Sequence, residues 1–145
     1  MKRSPVNGWQ RWVGQTRRPK LAGDDDMILV DTSVWIDHLR QSESQLLQLL
    51  ESGKVLTHPL VIEEIACGHL RDRNEIVGLL HSLPLSPLAT HAEILGLISN
   101  QKLFGVGLGA IDVHLLASAK LAGANLWSKD KALSREAKRL GINLS

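Results

Sequence analysis

The chain has 145 residues, 43% of them hydrophobic and 22% charged, with a formal net charge of +2. This composition fits one folded domain with a real core and excludes a disordered polyelectrolyte, and no apolar run approaches the roughly 20 residues of a membrane span. A single cysteine, Cys67, rules out an internal disulfide or a paired-cysteine zinc site, so a reducing, cytoplasmic setting is the expectation.

Charge is unevenly placed. Residues 1–26 hold six basic side chains against three aspartates, a balance of +3, which leaves 11 basic and 12 acidic side chains in residues 27–145. The first stretch has two prolines, three glycines and no helical or strand period. It reads as a flexible basic N-terminal extension that lacks the apolar core of a secretory signal. Trp9 and Trp12 stand among its cations, a combination that can stack on bases, but a tail preceding a start at Met27 is the plainer reading. Residues 27–145 are too weakly charged to hold nucleic acid by composition alone; a local patch, bound cations or the arm would have to supply the grip.

Met27 to Asp37 reads MILVDTSVWID. Ile28, Leu29 and Val30 are the pattern of a strand buried on both faces in a parallel sheet. Asp31 follows directly, and in open α/β sheets the carboxyl ends of the strands border the ligand crevice. Asp31 also suits a helix N-cap. Trp35 to Leu50 carries leucines at helical spacing, with a break or cap at Ser42–Ser44 and a stop at Gly53. Lys54–Thr57 is a second strand. Pro59–Cys67 is a helix with proline at its first position and Gly68 at its end. Its Glu63 and Glu64 point about 100° apart, so only one can face a crevice.

Asp72–Ser82 is another amphipathic helix, and Leu83–Leu88, interrupted by Pro84 and Pro87, is at most a brief strand. His91–Leu103 follows as a helix capped by Thr90. The stretch FGVGLGAIDVHLLASAKLAG then opens a helix over Ala110–Leu121 after a glycine-rich loop, closed by Gly123. Ala124–Trp127 is a buried strand with Ser128, Lys129 and Asp130 coming off its end. Lys131–Leu140 is a final helix stopped by Gly141, and Ile142–Leu144 an edge strand. Strands alternating with helices predict a parallel sheet covered on both faces, with Trp35 and Trp127 filling core or interface space.

On this plan four acidic side chains fall at element ends: Asp31, Glu64, Asp112 and Asp130. Each alone has an ordinary explanation as a cap, a turn residue or a surface residue. Gathered at one end of a sheet they repel by several kcal/mol at close range, and divalent cations are what relieve such clusters. Hard oxygen donors without histidine or cysteine favour Mg2+ or Mn2+. A pair of such ions about 4 Å apart promotes in-line attack of water on a phosphodiester. Thr32, Ser33 and Ser128 suit a supporting part, orienting the carboxylates or the water.

The segments MILVDTSVWIDHLR, THPLVIEEIACGHLRDR, GLGAIDVHLLASAKLAG and LWSKDKAL, in that order from Met27 nearly to the C-terminus, resemble the PIN-domain family. Within it they are similar to the VapC-type toxins of prokaryotic toxin–antitoxin pairs. The resemblance implies an α/β fold, a PIN-like three-layer sandwich with a central parallel sheet of four to five strands. It implies a Mg2+- or Mn2+-dependent endoribonuclease that cuts internal phosphodiesters and leaves a 5′-phosphate. The family's acidic set maps onto Asp31, Glu64, Asp112 and Asp130, with Asp31 and Asp112 the surest metal ligands. A homodimer, a cognate antitoxin protein that blocks or distorts the acidic pocket, and an RNA substrate, a transfer RNA or another structured RNA, are implied as well. Arg71, Arg73 and Lys129 are the candidate RNA patch. Two departures stand out. Glu63 occupies a position that is commonly glycine in relatives, which leaves two adjacent glutamates as candidates, and the arm before Met27 is foreign to the family.

Other readings carry less. Gly105, Gly107 and Ala110 match the dinucleotide fingerprint G-x-G-x-x-A, but that motif needs a preceding strand where Ile94–Leu103 reads as a helix. Asp31 as the nucleophile of a phosphotransferase lacks the second aspartate two residues on. A catalytically silent RNA- or protein-binding module calls for a degraded acidic position, and none is degraded. His114 lies about 200° around the helix from Asp112, which makes it a packed or surface residue rather than a general acid. The remaining histidines lack metal-ligand spacing.

Overall fold

A computed structural model describes residues 27–144. The basic extension of residues 1–26, with Trp9 and Trp12, lies outside the described residues. At the centre is β1 (Ile28–Val30), flanked by β2 (Val55–Leu56) and β3 (Asn125–Trp127) in the order β2-β1-β3, every pairing parallel. Consecutive strand residues face opposite sides of a sheet, so complete burial of Ile28, Leu29 and Val30 means that both faces of the central strand are covered. Helices α1 (Thr32–Arg40) and α2 (Ser44–Glu51) link β1 to β2. The return to β3 passes through α3 (Pro59–Cys67), α4 (Arg73–Ser82), α5 (His91–Asn100) and α6 (Ala110–Ala122), and α7 (Lys131–Arg139) closes the chain. That return crosses β1, so strand order reverses beside β1's carboxyl end, where open α/β sheets form their crevice.

Packing follows from burial pattern. Helix α6 buries eight of its side chains, from Val113 to Ala122, because it lies across both β1 and β3 while α5 and α7 pack on it. Gly123 ends it in the left-handed conformation (φ +64°), its N–H bonding Ala119 and Lys120 carbonyls. Trp35 and Trp127 both belong to the core, with Leu29, Leu115, Leu116, Leu126 and Leu133.

The sheet is narrower than the four to five strands expected. Among the described residues three strands form, and each outer segment contributes one parallel bridge, Leu85 to Thr57 and Leu144 to Leu126. At the first edge Thr57 N donates to Pro84 O and Ser86 N to Thr57 O, both at 2.9 Å. Pro84 and Pro87 have no N–H to extend that ladder. Helix bounds also differ. The first helix begins at Thr32, immediately after Asp31, rather than at Trp35. Asp72 precedes its helix in the left-handed region (φ 58°), and α5 ends at Asn100 rather than Leu103. Among the described residues no helix is long and apolar enough to cross a membrane.

Candidate active site

The carboxyl ends of β1 and β3 deliver Asp31 and Ser128 side by side. Asp31 N donates to Trp127 O at 2.9 Å, continuing the strand pairing one residue past β1, and Asp31 is only 6% exposed. It occupies the N-cap position of α1, yet its side chain makes no cap bond. Its Oδ2 instead accepts from both Ser33 Oγ and Ser128 Oγ, each at 2.7 Å. The two hydroxyls are themselves held. Ser33 Oγ accepts from Lys129 N and Ser128 Oγ from Asp130 N, both at 2.9 Å. The reading of Asp31 as an ordinary helix cap therefore does not hold.

Glu64 reaches the same region from α3, its Oε1 accepting from Thr32 Oγ1 at 2.5 Å. This separates the adjacent glutamates: Glu64 is tied to the residue after Asp31, while Glu63 makes no such contact among the described residues. Asp112, in the first turn of α6, accepts Gly109 N at 3.0 Å through Oδ2. Asp130 caps α7, its Oδ1 accepting Leu133 N at 2.9 Å. One oxygen of each carboxylate is thus pinned by a donor, and among the described residues the opposite oxygens, Asp31 Oδ1, Glu64 Oε2, Asp112 Oδ1 and Asp130 Oδ2, accept no hydrogen bond.

The four carboxylates share one electrostatic field. Asp112 is held above the usual carboxylate range, first by burial and then by the charges of Asp31, Asp130 and Glu64; the Gly109 N–H works in the other direction. Among the described residues no cation pairs with any of the four. Such a donor set, all hard oxygen and without a cationic partner, fits Mg2+ or Mn2+. Among the described residues no group of three or more His, Cys, Asp or Glu side chains closes into a metal cage.

Two of the three cations of the candidate RNA patch have partners within the chain. Lys129 Nζ is committed to Glu43 and to Asp37 at 3.1 Å, and those two carboxylates raise its pKa, Glu43 foremost. Arg73 donates to Ala66 O at 2.7 Å and to Asn74 Oδ1 at 3.1 Å; Arg71 is exposed in the turn before α4. His114 packs edge-on against His58 with ring centres 6.0 Å apart, as a packed histidine should. His58 has a defined structural task, which its position before Pro59 could have signalled. Its Nδ1 accepts Leu60 N at 3.0 Å and caps α3, the helix that carries Glu64. Burial, aided by His114, lowers its pKa to about 4.

Sequence reasoning also missed Glu136, a buried carboxylate on α7. Arg135 Nε donates to its Oε2 at 3.0 Å and Arg139 Nε to its Oε1 at 2.7 Å. The spacing R-E-x-x-R was its available signal.

Comparison with known proteins bears on the family. Two curated relatives, each named Ribonuclease VapC32 and from Mycobacterium tuberculosis strains CDC 1551 / Oshkosh and ATCC 25618 / H37Rv, are 49% identical over 65 residues. The match covers 45% of this chain, and the chain spans about half the length of the curated relatives it matches, 52%. The family model for the PIN domain matches residues 28–139, from the first residue of β1 to the last of α7, and the chain belongs to the PIN-domain family.

Proposed function

We propose that this protein is a metal-dependent endoribonuclease, the toxin of a toxin–antitoxin pair, which hydrolyses internal RNA phosphodiesters and leaves a 5′-phosphate. The observation that carries the reading is the carboxylate group at the reversal of strand order: Asp31, Glu64, Asp112 and Asp130, each with one oxygen pinned and one unpaired among the described residues. The ribonuclease name of the 49% identical relatives supports it.

Asp31 and Asp112 would hold Mg2+ or Mn2+, with Glu64 and Asp130 completing the acidic wall. The ion, when bound, lowers the pKa of the attacking water and offsets charge on the departing oxygen. The chain's own contribution is orientation. Ser33 and Ser128 fix the Asp31 carboxylate, Thr32 fixes Glu64, and the backbone N–H groups of Gly109 and Leu133 fix Asp112 and Asp130. Hydrogen bonds of this kind orient a carboxylate towards an ion. A homodimer, a cognate antitoxin acting on the acidic pocket, a cytoplasmic site of action and a structured RNA target complete the proposal.

The test is cleavage of total cellular RNA by the antitoxin-free protein in Mg2+, Mn2+ or chelator, with Asp31→Asn alongside. Discrete metal-dependent fragments that are missing with Asp31→Asn are the expected result. Folded protein that cuts nothing with either ion would instead indicate a silent binding module.

A further inference from the structure

Helix α7 leaves the acidic end of the sheet with cations along its exposed side. At about 100° per residue, Lys138, Lys131, Arg135 and Arg139 fall at about −20°, 0°, 40° and 80° around the axis. All four are exposed, while Leu133, Glu136 and Ala137 are buried on the other side. The stripe therefore carries four cations against one buried carboxylate, Glu136, to which both arginines bond.

Two of these cations are held in place. Besides bonding Glu136, Arg135 Nη2 donates to Val106 O and Arg139 Nη2 to Gln101 O, both at 2.6 Å. A guanidinium has five N–H donors, so each arginine keeps others for a ligand. The two side chains remain 58% and 45% exposed. The loop they pin presents Phe104, the chain's sole phenylalanine, 64% exposed beside the buried anchor Leu103. Gly107 (φ +90°) brings this loop against α7: a Cβ there would stand 3.6 Å from Ala132 Cβ.

An exposed ring on a pinned loop, beside a row of cations, is the combination that binds single-stranded nucleic acid, with bases stacking on the ring and phosphates meeting the cations. Its position matters as much as its chemistry. The loop runs on through Gly109 to Asp112, and Asp130 is the N-cap of α7, so the elements that carry the ring and the stripe each lead to one of the four carboxylates. We propose that Phe104 and the Lys131, Arg135, Lys138, Arg139 face of α7 form the platform on which single-stranded RNA beside the scissile phosphodiester is laid. The inference rests on the nuclease reading for the identity of the adjoining site. It explains how a body with a balance of −1 holds a polyanion next to a cluster of carboxylates.

The test is fluorescence anisotropy of the full chain with a labelled single-stranded oligoribonucleotide in chelator, where nothing is cut. Phe104→Ala should weaken binding about tenfold, and Phe104→Tyr should restore it. Binding of a duplex of the same sequence should be unaffected by Phe104→Ala. The double variant Lys131→Gln, Lys138→Gln should reduce the slope of log K against log salt by about 1.4, the value for two phosphate contacts on a single strand. Unchanged affinity in both variants, or a parent that binds no RNA, overturns the platform. So does a change in molecular mass of Phe104→Ala in solution without loss of RNA affinity, which would make the ring part of an interface between copies. A parent that cuts RNA in Mg2+ while the variants bind normally refutes the platform alone. A parent that binds through Phe104 but cuts nothing refutes the nuclease reading alone.

Discussion

Asp112 on α6 and Glu136 on α7 belong to helices that pack on each other, and they resolve the same problem in opposite ways. Glu136 is buried with two arginines bonded to it, and those bonds, Arg139 first, hold its pKa below the usual carboxylate range. Asp112 is partly buried among three other carboxylates, without a cationic partner among the described residues, and its pKa is raised. A carboxylate that serves the fold is supplied with counter-charge by the chain itself. One left without it is a stability liability that a bound cation would remove, and the contrast separates a structural carboxylate from a candidate site carboxylate.

The sharpest way to break this comparison is Asp112→Asn. Cleavage should fall on the order of a hundredfold or more, since charge stabilisation worth several kcal/mol is withdrawn. The metal-free variant should nevertheless melt above the parent at neutral pH. A raised folded pKa means that ionised Asp112 costs stability above its unfolded pKa, and the cost disappears as pH falls and the group is protonated in both states. Thermal melts in chelator from acid to neutral pH check this; an Asn variant less stable than the parent at neutral pH would contradict it. Adding Mg2+ should stabilise the parent more than the variant.

Ser128→Ala removes one donor to Asp31 and the acceptor for Asp130 N while leaving every carboxylate in place. A loss of roughly 10- to 100-fold in metal affinity or activity is expected, measurable by Mn2+ titration and by rate. On the other side of the comparison, Glu136→Ala should cost about 2 kcal/mol in urea unfolding, because both arginines lose their shared acceptor and the loop loses its clamp. Its sign with pH is opposite to that of Asp112. A lowered folded pKa contributes stability above the unfolded carboxylate pKa, and that contribution is lost as pH falls through the folded value, so the parent and Glu136→Ala should converge in acid.

His58 gives an effect that is confined to a window of pH and leaves the site's carboxylates untouched. With its folded pKa lowered from 6.5 to about 4, it contributes stability that is complete above 6.5 and erodes as pH falls towards 4, where it must charge and lose its acceptor role at Leu60 N. His58→Asn keeps an N-cap acceptor without the titration and should flatten the stability profile between those values. An unaltered profile would show that His58 is not the group responsible.

Much of this was legible before any coordinates. The apolar triplet Ile28–Val30, Pro59 at the start of α3, Thr90 as the cap of α5 and Gly123 at the end of α6 all act through neighbours a few residues away, and such signals survive in the linear pattern. Thr32, Ser33 and Ser128 were expected to orient carboxylates, and the structure places them in hydrogen bonds with Glu64 and Asp31. Leu83–Leu88 was read as at most a brief strand because of Pro84 and Pro87, and it contributes a single bridge; the four to five strands that the resemblance implied were too many. The platform helix was not foreseen: a body with nearly balanced charge concealed the fact that α7 turns its acid inward and its four cations outward.

The element order, the caps and the four acidic positions follow from local chemistry, because helix and strand periods and capping bonds are set within one or two turns of chain. Which glutamate bonds beside Asp31, which oxygens of Asp31 and Glu64 are left unpaired and where the arginines of α7 anchor were decided by the tertiary structure. These depend on bonds between residues 32, 97 and 29 positions apart, Thr32 to Glu64, Asp31 to Ser128 and Val106 to Arg135. Side-chain direction at such pairs is fixed by how helices dock on the sheet, and no local period encodes that.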